Sequence, residues 1–196
     1  MIRNRQSIRL RGYDYSQPGA YFITLCVGNN LCLLGEIKNG VMRLNEAGEI
    51  IRDEWLRTAD IRPEIALDEF VIMPNHFHAI LWIRDTGRSY LEYSSIGYPP
   101  FNKAQRPQDA TTEVIKHGPA NRSLGAIMAG FKSATTRHIN ALDEIPDPFC
   151  WHRNFYDRIV RDTVALNRVR QYIRNNPLRW EFDGKNPDPL FGYPSL

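Results

Sequence analysis

Pro74-Asn75-His76-Phe77-His78-Ala79-Ile80-Leu81-Trp82-Ile83 alternates as a strand does. Successive strand side chains point to opposite faces, so His76, His78, Ile80 and Trp82 share one face. Phe77, Ala79, Leu81 and Ile83 make the other, wholly apolar, face, which is expected to pack on helices. Two imidazoles side by side require a reason, because a buried imidazole without partners costs free energy. Chelation of one metal ion is one such reason. A half-exposed strand pair without any ligand is the other, and the spacing alone leaves both open.

Upstream, Ile65 to Met73 is rich in β-formers, and Pro74-Asn75 reads as a turn. The two apolar strands are therefore expected as an antiparallel pair in the middle of a sheet. Tyr21-Phe22-Ile23-Thr24-Leu25-Cys26-Val27 is a further strand. Leu31–Ile37 and Val41–Leu44 flank Lys38-Asn39-Gly40, whose Asn-Gly pair signals a hairpin. Asn45 is placed to cap a helix carrying Ile50, Ile51, Trp55 and Leu56 to about Ala59. Downstream, Arg84 to Ala120 is polar, rich in Gly and Pro and without periodicity, so it reads as a long loop insertion. Ser123 caps a helix with Leu124, Ile127, Met128, Phe131, Thr135 and Ile139 on one face. Trp151 to Val160 is a strand candidate. Asp162 or Thr163 caps a last helix with Leu166, Val169, Tyr172 and Ile173, stopped by Pro177.

Without the hairpin and the loop this order is βαββαβ plus a final helix. It predicts an α+β, ferredoxin-like antiparallel sheet with an added hairpin and a C-terminal helix. The expected organisation is a basic arm at 1–20, one domain at 21–177 with the 84–120 insertion, and a tail at 178–196 that packs on the surface. The 196 residues suit one cored domain with extensions.

Charge distribution says more than the net charge of +3. Arg3, Arg5, Arg9 and Arg11 share the first 12 residues with no acid, and residues 151–180 hold seven arginines against Asp157 and Asp162. Arginine's planar fork suits phosphate oxygens and unstacked bases, so two such segments point to a polyanion. Arg3, Arg5, Arg9, Arg11, Tyr13, Lys132, Arg153, Arg158 and Arg174 are the candidate contacts to it. Three cysteines without CxxC spacing suggest a reducing, cytoplasmic setting. No apolar run is long enough to span a membrane.

A third ligand must come from elsewhere. Tyr172 and Asn176 are four apart, one turn apart on one helix face. Asn176 precedes Pro177, which biases its backbone away from helical geometry. Its amide oxygen suits a hard divalent cation. Alternatively, Asn176 merely ends the helix and Tyr172 is a core aromatic with a bonded hydroxyl.

Pro74-Asn75-His76-Phe77-His78 resembles the PNHUH signature, U being hydrophobic, of the HUH endonucleases. Joined to Tyr172-Ile173-Arg174-Asn175-Asn176-Pro177, it resembles the one-tyrosine HUH transposases. Ser7 to Tyr15 and Trp151 to Asp157 are similar to the REP-associated tyrosine transposases of that superfamily. The resemblance runs from about Arg3 to Arg179. It implies His76 and His78 as metal ligands, Tyr172 as nucleophile, and Asn176 where relatives often carry a glutamine ligand, coordinating directly or through water. It further implies Mg²⁺ or Mn²⁺, single-stranded DNA with a hairpin as substrate, and cleavage through a 5′-phosphotyrosine adduct. Insertion-sequence relatives often act as dimers, which leaves a homodimer open. The rival expectation is a non-catalytic single-stranded nucleic-acid-binding module on a ferredoxin-like sheet. A small-substrate metallohydrolase lacks a visible acid or base.

Overall fold

The computed structural model describes residue 10 and residues 12–85, 122–142 and 148–188. Arg3, Arg5, Arg9 and Arg11, and the proposed loop from residue 86 to 120, lie outside the described residues. Strand β1 (Gly19–Cys26) is followed by a 3-10 turn at Gly28–Asn30. The hairpin β2 (Gly35–Lys38) and β3 (Val41–Leu44) leads to helix α1 (Glu46–Ile61). Then come β4 (Ile65–Met73), β5 (His76–Ile83), α2 (Leu124–Ile139), β6 (Tyr156–Val160) and α3 (Thr163–Asn175). A 3-10 helix, Pro177–Phe182, continues from α3.

The main sheet has the order β4-β5-β1-β6 with every neighbouring pair antiparallel. Together with α1 and α2 this is the expected βαββαβ arrangement. The hairpin forms its own two-stranded sheet. Asn39 and Gly40 both take positive φ, 53° and 72°, as a two-residue turn of matching twist requires. Asn45 caps α1 by accepting from Gly48 N, Ser123 caps α2 through Ala126 N, and Asp162 caps α3 through Ala165 N.

One sheet face packs Tyr21, Ile23, Leu25, Phe77, Ala79, Leu81 and Ile83 on Ile51 and Trp55 of α1 and on Ile127, Met128 and Phe131 of α2. The other packs Ala20, Phe22, Ala66, Ile80 and Trp82 on Leu166 and Ile173 of α3. The histidine face was expected opposite the helices. It lies opposite α1 and α2 and is covered by α3, which brings the last helix to the histidines as the search for a third ligand there expected.

Three expectations are corrected. Of the β4–β5 pair only β5 is central, since β4 forms one sheet edge. The strand expected over Trp151–Val160 begins only at Tyr156, because Trp151 makes a single bridge to Val27 and is followed by a bend. Asn176 is helical (φ −60°, ψ −45°) despite Pro177. The missing proline N–H falls at the first position of a new 3-10 turn, where none is needed, and Arg179 N bonds Asn176 O at 3.0 Å. The described part of the tail, at the surface, turns back to Asn75 and His76.

A β-bulge fixes where α3 sits. Leu67 pairs with Leu81 and Phe70 with Ala79, so β4 carries one extra residue, and Asp68 and Glu69 meet α3. Asp68 receives Arg170 Nε at 2.8 Å, Arg170 Nη2 at 2.6 Å and Trp82 Nε1 at 2.9 Å, and Glu69 pairs with Arg174. Burial pushes the Asp68 carboxyl up, but these bonds outweigh it and hold the group below its ordinary value.

Candidate active site

The register aligns β1, β5 and β6 on the α3 face. Cys26 lies opposite His76, Thr24 opposite His78 and Tyr156, and Phe22 opposite Ile80 and Arg158. Both histidines are fully buried, with ring centroids 4.6 Å apart. Phe22 stacks on His78 at 5.5 Å and meets the Tyr172 ring edge-on at 6.0 Å.

Each imidazole is held by its inner nitrogen. His78 Nδ1 lies 2.7 Å from Thr24 Oγ1, and His76 Nδ1 lies 2.8 Å from Asn75 Oδ1. This leaves both Nε2 atoms facing α3 and the segment after it. Tyr172 Oη is 3.2 Å from His78 Nε2. His76 Nε2 has no hydrogen-bond partner, and neither has the buried Oδ1 of Asn176. The nearest carboxylate, Asp183 Oδ2, is 3.7 Å from His76 Nε2.

The charge states follow from burial. His76 is pushed down to about 4, chiefly by burial, with Lys185 adding to it and Asp183 and the Asn176 amide opposing. His78 is held well below its ordinary value by burial first, then by His76 and Lys185. Both rings are therefore neutral at pH 7, as a metal ligand must be. Burial raises the Tyr172 phenol, Asn176 lowers it and Asp183 raises it, so it stays protonated at neutral pH.

These donors fit a divalent cation. Two neutral imidazole nitrogens and a buried amide oxygen converge, and two of the three atoms lack any protein partner. Among the described residues no three His, Cys, Asp or Glu side chains close a ready-made cage. A cation held here would meet two imidazoles and an amide, with Asp183 at the margin. Such a mixed nitrogen and oxygen set suits Mn²⁺ at least as well as Mg²⁺.

The sequence-predicted site residues divide. His76, His78, Tyr172 and Asn176 come together. Arg158 is exposed on the same sheet face, beside exposed Tyr156 on the β6 edge. Arg153 is also exposed, in the bend before β6. Arg174 is paired with Glu69. Lys132, on α2 beneath the opposite face, gives its Nζ to the carbonyls of His152 at 2.6 Å and Arg153 at 3.0 Å. Tyr13 is half-buried against the core, its hydroxyl 3.3 Å from that of Tyr21. Sequence reasoning missed Thr24, Asn75, Asp68 and Asp183. The signals available were the Asn beside the HxH pair, a polar residue inside an apolar strand, and the turn-forming Asp183-Gly184-Lys185-Asn186.

No family model matches the chain. An uncharacterized protein of Haemophilus influenzae is 37% identical over 184 residues, covering 93% of each chain. The chain belongs to the family of that protein. A solved structure of a REP-associated tyrosine transposase bound to a REP hairpin superposes with a TM-score of 0.54. It is 16% identical and is covered to 73% of its length by 87% of this chain, and the likeness is one of fold. No described helix is long and apolar enough to cross a membrane.

Proposed function

We propose that the protein is a transposase-like enzyme that cleaves and rejoins single-stranded DNA at hairpin-forming sites, with Tyr172 as nucleophile. The observation that carries this reading is the meeting of Tyr172 Oη with His78 Nε2 at 3.2 Å, beside the unpartnered His76 Nε2 and Asn176 Oδ1. His76, His78 and Asn176 would hold a divalent cation, Mn²⁺ or Mg²⁺. Such an ion supplies Lewis acidity toward a phosphodiester oxygen and offsets charge in the transition state.

The chain's own residues do the rest. His78 would hold the cation through the Nε2 that Tyr172 Oη now meets, leaving the phenol, half-exposed at the sheet surface, available to the DNA. Its oxygen bonds to phosphorus as the bond from phosphorus to the 3′-oxygen breaks. The phenolic proton leaves to solvent, and the departing 3′-oxygen takes one up. The resulting 5′-phosphotyrosine keeps the ester energy, so a second 3′-OH can reverse the step and join strands without ATP. Tyr156 and Arg158 lie on the same face and are suited to stack on a base and to contact phosphate. The hairpin bound by the REP-associated transposase of similar fold supports a hairpin substrate here. A cytoplasmic setting accords with a DNA substrate and with three free cysteines.

Incubation with labelled hairpin-bearing single-stranded DNA and Mn²⁺ tests the reading. A denaturation-resistant protein–DNA adduct is expected, absent in Tyr172→Phe and in His76→Ala. Metal-independent binding without cleavage, unchanged in Tyr172→Phe, would instead make the protein a nucleic-acid-binding module. Sizing of the protein alone and with DNA distinguishes monomer from homodimer.

A further inference from the structure

Asn75 is 1% exposed, and every polar atom of its side chain is engaged. Its Nδ2 donates to Asn30 O at 3.0 Å and to Lys185 O at 2.6 Å. Two carbonyls can accept only from the amide nitrogen, so the amide has one orientation, and Oδ1 must face His76 Nδ1 at 2.8 Å. An amide oxygen cannot donate. His76 Nδ1 therefore carries the ring proton, and the Nε2 lone pair is free toward α3.

Both carbonyls are themselves fixed. Asn30 closes the 3-10 turn after β1 with a positive φ of 55°. Lys185 is set by its own N–H, which bonds Asp183 Oδ1 at 2.8 Å, while the other oxygen of that carboxylate lies 3.7 Å from His76 Nε2. The segment Asp183–Lys185 thus touches His76 from both sides, directly at Nε2 and through Asn75 at Nδ1. The Asn75 backbone adds a third tie, accepting from Val27 N at 2.9 Å.

We infer that Asn75 is the positioning residue of the centre: clamped between Asn30 and Lys185, it fixes His76 in the Nδ1–H tautomer that presents Nε2 to a divalent cation. The inference rests on the metal-dependent reading above for its purpose, but not for the tautomer, which follows from hydrogen bonding alone. His78 differs, since Thr24 Oγ1 can donate or accept and does not impose one tautomer. Outer partners of this type usually account for 10–100-fold in metal affinity, on the order of the loss expected here.

The test is ¹⁵N NMR of the histidine rings in the metal-free full-length protein at pH 7.5, with Mn²⁺ titrated separately without DNA. Wild type is expected to show a pyrrole-like Nδ1 and a pyridine-like Nε2 at His76. In Asn75→Leu the Nε2–H tautomer should appear at His76, His78 should keep its wild-type shifts, and Mn²⁺ affinity should fall about 10–100-fold. Asn75→Ser, a smaller change, provides the same comparison should the leucine variant not fold. A proton on Nε2 of His76 in wild type overturns the inference, as does a folded variant that keeps both tautomer and affinity. Wild type with the expected tautomer but no Mn²⁺ binding supports the role of Asn75 on His76 and removes the metal reading instead.

Discussion

Replacing Asp68 by asparagine takes one charge and almost no volume from the joint that holds the tyrosine helix to the sheet. The Asp68 side chain is 5% exposed and that of Arg170 23%. Oδ1 accepts from Arg170 Nε at 2.8 Å and from Glu69 N at 2.8 Å, and Oδ2 from Arg170 Nη2 at 2.6 Å and Trp82 Nε1 at 2.9 Å. An amide keeps one acceptor and turns the other position into a donor that faces two donors. Whichever way it rotates, two N–H groups lose their partner and the guanidinium loses its counter-charge. Breaking a fully buried pair costs about 3–5 kcal/mol. Water reaches Arg170 and recovers part of this, so a loss of about 2–3 kcal/mol is expected. In a domain of this size that lowers the melting temperature by about 4–12 °C. Thermal unfolding followed by near-UV circular dichroism measures it, with Arg174→Gln as control, because the exposed Glu69–Arg174 pair should matter little. If Asp68→Asn melts with wild type while Arg174→Gln melts lower, the buried carboxylate is not what docks α3.

Stability of the metal-free protein should decline as pH falls from about 6.5 toward about 4. The unfolded His76 takes a proton near 6.5, whereas the folded ring, buried, takes it only near 4, so protons favour the unfolded chain across that window and His78 acts in the same sense. Urea midpoints at pH 7 and pH 5 check this, and an equal or higher midpoint at pH 5 contradicts it. Gly48→Ala, though a gain in helix propensity of about 1 kcal/mol, should destabilise by about 1–3 kcal/mol, because the new Cβ would meet Leu34 O at 2.3 Å. A denaturant midpoint at or above wild type counts against that packing. Arg158→Ala should weaken single-stranded DNA binding and flatten its salt dependence by about one phosphate contact. Lys132→Met should lower stability and leave DNA affinity unchanged, and filter binding at several salt concentrations separates the two.

What was legible in the sequence is what local periodicity encodes. Alternation through His76–Ile83 is a property of one strand, and it assigned the faces before any partner was known. The caps at Asn45, Ser123 and Asp162 were equally local, and each bonds the third residue onward. The Asn39-Gly40 turn belongs with them. What local pattern does not carry is the partner supplied by a distant segment. The partners of Arg170 and Arg174, the adjacent Asp68 and Glu69, lie about a hundred residues upstream at a bulge that no pattern announces. The partners of Lys132 are equally remote, for its ammonium binds the carbonyls of His152 and Arg153 where the bend before β6 begins.

The site shows the same division, most plainly at Asn176. Asn176 was expected to leave helical geometry because a proline follows it. The 3-10 helix that begins at Pro177 keeps it helical, and this keeps its amide one turn beyond Tyr172, buried over the histidines. The same continuation carries the chain on to Asp183 and Lys185, which close on His76 from both ring nitrogens. Had the chain broken at Pro177, Asn75 would lose one of the two carbonyls that orient it, and His76 the constraint on its proton. Pro177 therefore acts less as a stop for α3 than as the hinge that returns the tail to the histidines, and the PNH and YxxxNP segments are two halves of one hydrogen-bonded structure.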